Sequence, residues 1–170
     1  MTTPEQHKNL SVLFVCLGNI CRSPMGEGVF RSLSSKAPYR GLISRIDSCG
    51  TAAYHTGDEP DSRTMSTLED NGITDYVHAA RKVETRDFET FDYIFAMDRS
   101  NLRDLQRLQS RKPGSKAKVM LFGDFAGAGK RGEEVGDPYY GARDGFEIAY
   151  EQCVRFSKNF LQEVLSGIEP

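Results

Sequence analysis

The stretch from Leu10 to Pro24 constrains the fold more than any other part of the chain. Leu10–Cys16 is a short apolar run, the pattern of a strand buried in a parallel sheet. A tight loop follows, containing Gly18 and Asn19. Ser23 is then placed as a helix N-cap with Pro24 at the first helical position. Met25, Val29 and Leu33 recur on one helical face and carry that helix to about Lys36. Strand, tight loop and helix in immediate succession are the first half of a β-α-β unit, and the rest of the chain repeats the alternation. Leu42–Ser48 reads as a second strand. Asp61–Asp70 reads as a helix with Met65 and Leu68 inward, closed by Asn71-Gly72. Phe91–Met97 is a third strand, followed by a helix over Ser100–Gln109 with Leu102, Leu105 and Leu108 as its apolar stripe. Pro113-Gly114 breaks the chain before a fourth strand at Lys118–Phe122. Phe146, Ala149, Tyr150, Cys153, Phe156, Phe160, Leu161, Val164 and Leu165 form the clearest helical stripe. The expected fold is α/β: a single three-layer domain over residues 10–167, with a four-stranded parallel sheet flanked by helices on both faces and right-handed crossovers. Residues 1–9 read as a flexible polar lead.

Size and charge narrow the function classes. A chain of 170 residues suits one domain. A formal net charge of −2 offers no electrostatic footprint for nucleic acid or an anionic membrane, so neither is an expected partner. No apolar run approaches the ~18 residues of a membrane-spanning helix, and the polar first nine residues lack a signal-peptide core. A cytoplasmic location and reduced cysteines are therefore expected. Of the four cysteines, Cys16 and Cys21 are close in sequence while Cys49 and Cys153 stand apart; His7, His55 and His78 form no ligand-spaced pair. That pattern does not fit zinc, and neither metal nor cofactor is expected. The glycine-rich stretch 123–136 contains Gly127-Ala-Gly129-Lys130, but Asp124 and Arg131 stand where a nucleotide loop needs glycine and Ser/Thr. It reads as an ordinary surface loop.

Chemistry concentrates between Cys16 and Ser23. Parallel sheets bind ligands beyond the carboxyl ends of their strands, and Cys16 lies at such an end. A nest of backbone N–H groups from Leu17 through Gly18, Asn19, Ile20 and Cys21 to Arg22 can converge on three oxygens of a phosphate-like dianion. The helix that follows adds its positive end. Arg22 can supply a bidentate fork to two oxygens. Gly18 permits close backbone approach, and Asn19 tolerates positive φ. Helix N-termini and neighbouring cations also favour a thiolate. Cys16 would then stand as a nucleophile in front of the anion, with Ser23 donating a hydrogen bond to its sulfur. Cleaving a phosphate ester further requires a proton donor for the leaving oxygen. Asp137-Pro138-Tyr139-Tyr140 offers one: proline stiffens the turn at Asp137, and Tyr139 and Tyr140 can form an aromatic wall.

The segment Val15-Cys16-Leu17-Gly18-Asn19-Ile20-Cys21-Arg22-Ser23-Pro24, together with Asp137-Pro138-Tyr139-Tyr140-Gly141, closely resembles the low-molecular-weight protein tyrosine phosphatases. Ile46-Asp47-Ser48, Gly50-Thr51-Ala52-Ala53, His78-Ala79-Ala80-Arg81 and the run from Phe91 to Leu102 also look like family segments, so the similarity spans nearly the whole chain. The resemblance implies the phosphotyrosine protein phosphatase I-like fold and a metal-independent, two-step hydrolysis. Cys16 would form a cysteinyl-phosphate while Asp137 protonates the leaving phenol, then activates water; Arg22 and the loop amides would hold the phosphoryl oxygens. The implied partners are phosphotyrosine-containing proteins or small aryl phosphates, with inorganic phosphate as product, acid phosphatase activity and a monomeric state. Family matching also implies that Asn19, Ser48 and His78 support the loop, that Asp98 lies near the site, and that Cys16 and Cys21 can pair reversibly on oxidation. Tyr54 and His55 would form the wall facing Tyr139 and Tyr140.

Three other functions share such a scaffold. Arsenate reductases that resemble it use further redox cysteines, and the span from Ala79 to Phe122 contains none. Protein-arginine phosphatases of the family carry threonine at the position of Ile20; a bulky apolar residue favours an aromatic ester. A non-catalytic phosphate-binding module would lack Cys16 or Asp137.

Overall fold

The computed structural model describes residues 9–140 and 144–165. Residues 1–8 of the expected lead over 1–9, and positions 166–167 of the expected domain, lie outside the described residues. Four strands, β1 (Leu10–Cys16), β2 (Ile43–Gly50), β3 (Tyr93–Ala96) and β4 (Lys118–Leu121), form one parallel sheet in the order β2-β1-β3-β4. Five helices accompany them among the described residues: α1 (Arg22–Ser34), α2 (Ser62–Asp70), α3 (Asp87–Thr90), α4 (Arg99–Gln109) and α5 (Gly145–Leu165).

The pleat of β1 sorts the core into two layers. Val12 and Phe14 face one side, where α1 and α5 contribute Met25, Phe30, Phe156 and Phe160; Leu13 and Val15 face the other, where Phe88 and Leu105 pack. Both faces of β1 are therefore dry, which is why its sequence reads as a continuous apolar run. The first layer is held by aromatic pairs, such as Phe14 edge-on to Phe122 at 5.0 Å and Phe95 edge-on to Phe160 at 5.2 Å. The chain leaves β1 in one direction for β2 and returns to the other side for β3. That reversal opens a crevice at the carboxyl end of β1, where Cys16 lies.

Three local expectations change. First, α1 starts at Arg22 rather than at Pro24, and Ser23 does not cap it. The Ser23 hydroxyl turns instead to the Cys16 sulfur, 3.0 Å away. Second, α2 buries Thr64 and Thr67 as well as Leu68, while Met65 faces inward as expected, half-buried and packed against the core. Third, the stretch 123–136 is no ordinary surface loop. It opens with a 3₁₀ turn at Phe122–Phe125, and Phe122, Phe125, Ala126 and Val135 are buried. A Cβ on Gly123 would lie 1.6 Å from the Glu133 carbonyl oxygen, so only glycine lets the neck of this loop close. Arg155 on α5 then clamps Glu133 at 2.8–3.0 Å through two nitrogens. Short α3 has no apolar period to announce it; its first residue, Asp87, reaches back to accept from the Glu84 N–H at 2.7 Å.

Candidate active site

At the end of β1 the backbone turns sharply enough to place Asn19 at φ +61°, the left-handed region that asparagine tolerates. The turn fits against β2 because residue 50 is glycine: a Cβ there would meet the Leu17 carbonyl oxygen at 2.6 Å. The Asn19 N–H then donates to Cys16 Sγ at 3.3 Å, and α1 begins just beyond, so the sulfur sits at the positive end of a 13-residue helix.

The loop is supported from beneath by a buried network. Asn19 donates through Nδ2 to Ser23 Oγ at 2.8 Å and to Ser48 Oγ at 3.0 Å. Its Oδ1 lies 2.8 Å from His78 Nε2 and accepts from the Arg81 N–H at 3.0 Å. Behind these, Ser48 and Tyr76 both donate to Glu27 Oε1 at 2.7 Å. Burial raises the Glu27 carboxyl above its usual range despite those two hydrogen bonds. Among the described residues, Glu27, Asp47 and His78 bring metal-ligand atoms within 4.8 Å of one another. The donors already on Glu27 Oε1 suit that oxygen to loop support rather than to an ion.

Arg22 is almost completely buried. Its Nη1 donates to Asp98 Oδ2 at 2.6 Å and to the Val135 carbonyl at 3.1 Å, while Nη2 lies 3.8 Å from Asp137 Oδ2. Burial alone would lower its pKa, but Cys16 and Asp98 outweigh that and hold the guanidinium firmly charged. Asp98 is also the N-cap of α4, accepting from the Asn101 N–H at 2.8 Å, so one carboxylate both starts a helix and aims the arginine. Asp137 accepts the Tyr139 N–H at 3.0 Å, an Asx-type turn stiffened by Pro138.

Cys16, Arg22 and Asp137 share one cavity of about 210 Å³. Cys16, Leu17, Gly18, Ile20, Cys21 and Arg22 form its floor, and Tyr54, His55, Asp137 and Tyr139 complete the lining. Ser48, His78 and Asp98 stand outside that lining, behind the loop or behind Arg22. The Tyr140 side chain lies outside the described part of the structure. Cys21 is a free thiol, as are Cys16, Cys49 and Cys153; burial first, then the charges of Asp61 and Cys16, push Cys21 up to about 12.

Sequence reasoning missed four contributors: the Val135 carbonyl on Arg22, the Glu27–Tyr76 pair, the close approach that Gly50 permits, and the attachment of α2 to the loop through the Asp61 N–H on the Ile20 carbonyl. Only Glu27 carried a local signal, a carboxylate four residues after Ser23 on the inward face of α1.

A thiol at a helix N-terminus, a fixed arginine and a carboxylate, all around one small cavity at the switch point of a parallel sheet, define the class: an α/β protein able to hold a phosphate-like anion against a cysteine. Residues 11–167 match the family model for low molecular weight phosphotyrosine protein phosphatase. A Schizosaccharomyces pombe protein of that name is 55% identical over 157 residues, covering 92% of this chain and 98% of its own length. Among solved structures, a protein tyrosine phosphatase from Entamoeba histolytica aligns with a TM-score of 0.83 at 34% identity, covering 94% of this chain and 99% of its own. A Drosophila arginine phosphatase aligns with a TM-score of 0.81 at 37% identity, covering 90% and 96%. The chain belongs to the low molecular weight phosphotyrosine protein phosphatase family.

Proposed function

We propose that this chain hydrolyses phosphotyrosine in proteins, and small aryl phosphates, through a cysteinyl-phosphate. The observation that carries the reading is the convergence of Cys16, Arg22 and Asp137 on one cavity. With phosphate seated in the loop, Cys16 Sγ attacks phosphorus from the near-attack separation of roughly 3–3.5 Å. The P–O bond to the phenol breaks as Asp137 gives its proton to the departing oxygen. Arg22 and the loop amides hold the phosphoryl oxygens through the transition state. Water then attacks phosphorus, Asp137 takes its proton, and inorganic phosphate leaves as Cys16 recovers its electrons. Ser23, 3.0 Å from the sulfur, stabilises it as nucleophile and leaving group.

The fold alone does not choose the phosphorylated group, since an arginine phosphatase shares it. Ile20, with the rings of Tyr54 and Tyr139, supports an apolar slot for a flat aryl ester. The discriminating experiment is turnover of phosphotyrosine, phosphoserine and phosphoarginine peptides with chelator present. Phosphotyrosine is expected to be cleaved fastest; preferential cleavage of phosphoarginine would overturn the assignment. Asp137→Asn should reduce kcat/KM by about 10²-fold or more on phenyl phosphate and much less on 4-nitrophenyl phosphate. Equal losses on the two esters would contradict its role as acid.

Acid phosphatase activity, a cytoplasmic monomer and redox control complete the proposal. No helix among the described residues is long and apolar enough to cross a membrane. Cys16 and Cys21 line the same cavity as free thiols. Peroxide would take Cys16 to the sulfenic acid, whose hydroxyl the Cys21 sulfur displaces as water. A linked Cys16–Cys21 peptide after mild peroxide treatment is the expected mass-spectrometric product, and over-oxidised Cys16 alone would refute it.

A further inference from the structure

Helix α2 ties together the two halves of the cavity. At its start the Asp61 N–H donates to the Ile20 carbonyl at 2.8 Å, and Thr64 Oγ1 donates to the Cys21 carbonyl at 3.1 Å. Both acceptors belong to the loop that follows Cys16. The Asp61 side chain accepts the Arg63 N–H at 2.8 Å as N-cap, and also grips the Arg63 guanidinium through Nε at 3.0 Å and Nη2 at 2.9 Å. A guanidinium held at two nitrogens has little freedom to swing. Its central carbon lies 5.2 Å from the ring centre of Tyr139 and 4.7 Å from that of Phe146. Phe146 is buried in the first turn of α5, whereas Tyr139 is the exposed end of the turn whose backbone N–H holds Asp137.

We propose that Arg63 is a positioning residue for Asp137: anchored to the phosphate loop through Asp61, it carries the Tyr139 ring and so sets where the Asp137 carboxyl stands relative to Cys16. The proposal rests on the reading of Asp137 as proton donor. Without Arg63, the Asp137-Pro138-Tyr139 turn keeps its own hydrogen bond and its contact with Arg22, but the Tyr139 ring loses the guanidinium that links it to α2. The Asp137 carboxyl is then aimed less closely at the leaving oxygen, and the proton arrives late. A planar, stacking cation is required, so lysine is a poor replacement.

Four proteins decide the matter: the parent, Arg63→Ala, Asp137→Asn and the double variant, with Arg63→Lys as a fifth that retains the charge. The measurement is kcat/KM on 4-nitrophenyl phosphate and on phenyl phosphate, whose leaving group needs the proton far more. Arg63→Ala is expected to raise the ratio of the two by about tenfold, since a misplacement of order 1 Å can cost up to ~10²-fold. Arg63→Lys should raise it by less. Inhibition by inorganic phosphate should stay within about twofold of the parent in both, because the loop itself is intact. On the Asp137→Asn background, Arg63→Ala should change the ratio no further. An equal loss on both esters, or a further rise in the double variant, overturns the proposal. A flat ratio in Asp137→Asn would instead overturn the role of Asp137. A raised ratio there, with an unchanged one in Arg63→Ala, sinks the Arg63 proposal alone.

Discussion

Replacing Asn19 by alanine removes four hydrogen bonds from a side chain that is only 1% exposed. Ser23 and Ser48 lose a donor they can partly do without, because hydroxyls can rotate toward other partners. His78 Nε2 keeps Ser48 Oγ, 3.2 Å away, but the Arg81 N–H loses its acceptor, and an orphaned buried donor costs about 1–3 kcal/mol. The expected loss is therefore about 1–3 kcal/mol from hydrogen bonding. Alanine must also hold a φ near +61°, where an ordinary side chain is strained. Glycine loses the same bonds but carries no such strain, and even after its greater unfolded-state entropy it should be about 1 kcal/mol more stable than alanine. Against a domain stability of roughly 5–15 kcal/mol, both variants should still fold.

Urea unfolding of the parent, Asn19→Ala and Asn19→Gly measures these losses directly, provided the three slopes agree. Activity supplies the second axis. The turn aims the Asn19 N–H at Cys16 Sγ, so glycine, which keeps the turn, should retain more kcat/KM on 4-nitrophenyl phosphate than alanine does. If both variants lie within about 0.5 kcal/mol of the parent, the support network is not a support. If alanine equals glycine in stability and in activity, the left-handed turn contributes nothing, and the reasoning from φ is wrong.

Two titrations test other parts of the site. With Cys21 at about 12, its thiolate fraction at pH 8 is on the order of 10⁻⁴, and Cys49 and Cys153 are fully buried; a Cys16→Ser variant should therefore resist iodoacetamide at pH 8, and alkylation of Cys21 within minutes by mass spectrometry would contradict its burial. Glu27 gives a stability test: its folded pKa is raised, so its contribution is fully present below the unfolded value of about 4.3 and is lost as pH rises through the folded one. Glu27→Gln keeps an acceptor for Ser48 and Tyr76 without the charge, so the stability of the parent relative to this variant should fall as pH rises above the unfolded value; a flat or rising difference would show that Arg31, His78 and Asp47 around the carboxylate govern it instead.

How much of this site could be read from the sequence depends on how far each contact reaches along the chain. The loop from Cys16 to Ser23 was legible because strand end, left-handed turn and helix start are local events, each with its own residue signal. Even there, one inference went astray for a physical reason: Ser23 has the composition of an N-cap, but a sulfur and the Asn19 amide compete for its hydroxyl and win. Asp137 was legible through its Asp-Pro turn. The groups that hold Arg22 and Asp137 in relation to each other were not. Val135 approaches Arg22 across 113 residues, and it can do so only because Gly123 lets the loop pinch shut against Glu133 and Arg155 locks that closure. A glycine-rich, charged stretch has the composition of a solvated loop whether or not it closes on itself. Arg63 has the same ambiguity, since a charged residue in a first helical turn usually faces water. What distinguishes these residues is a partner supplied by a remote element, and that partner carries no periodicity to betray it. The reacting groups of such an enzyme can therefore be named from local spacing, while the distance between them is set by residues whose local pattern looks ordinary.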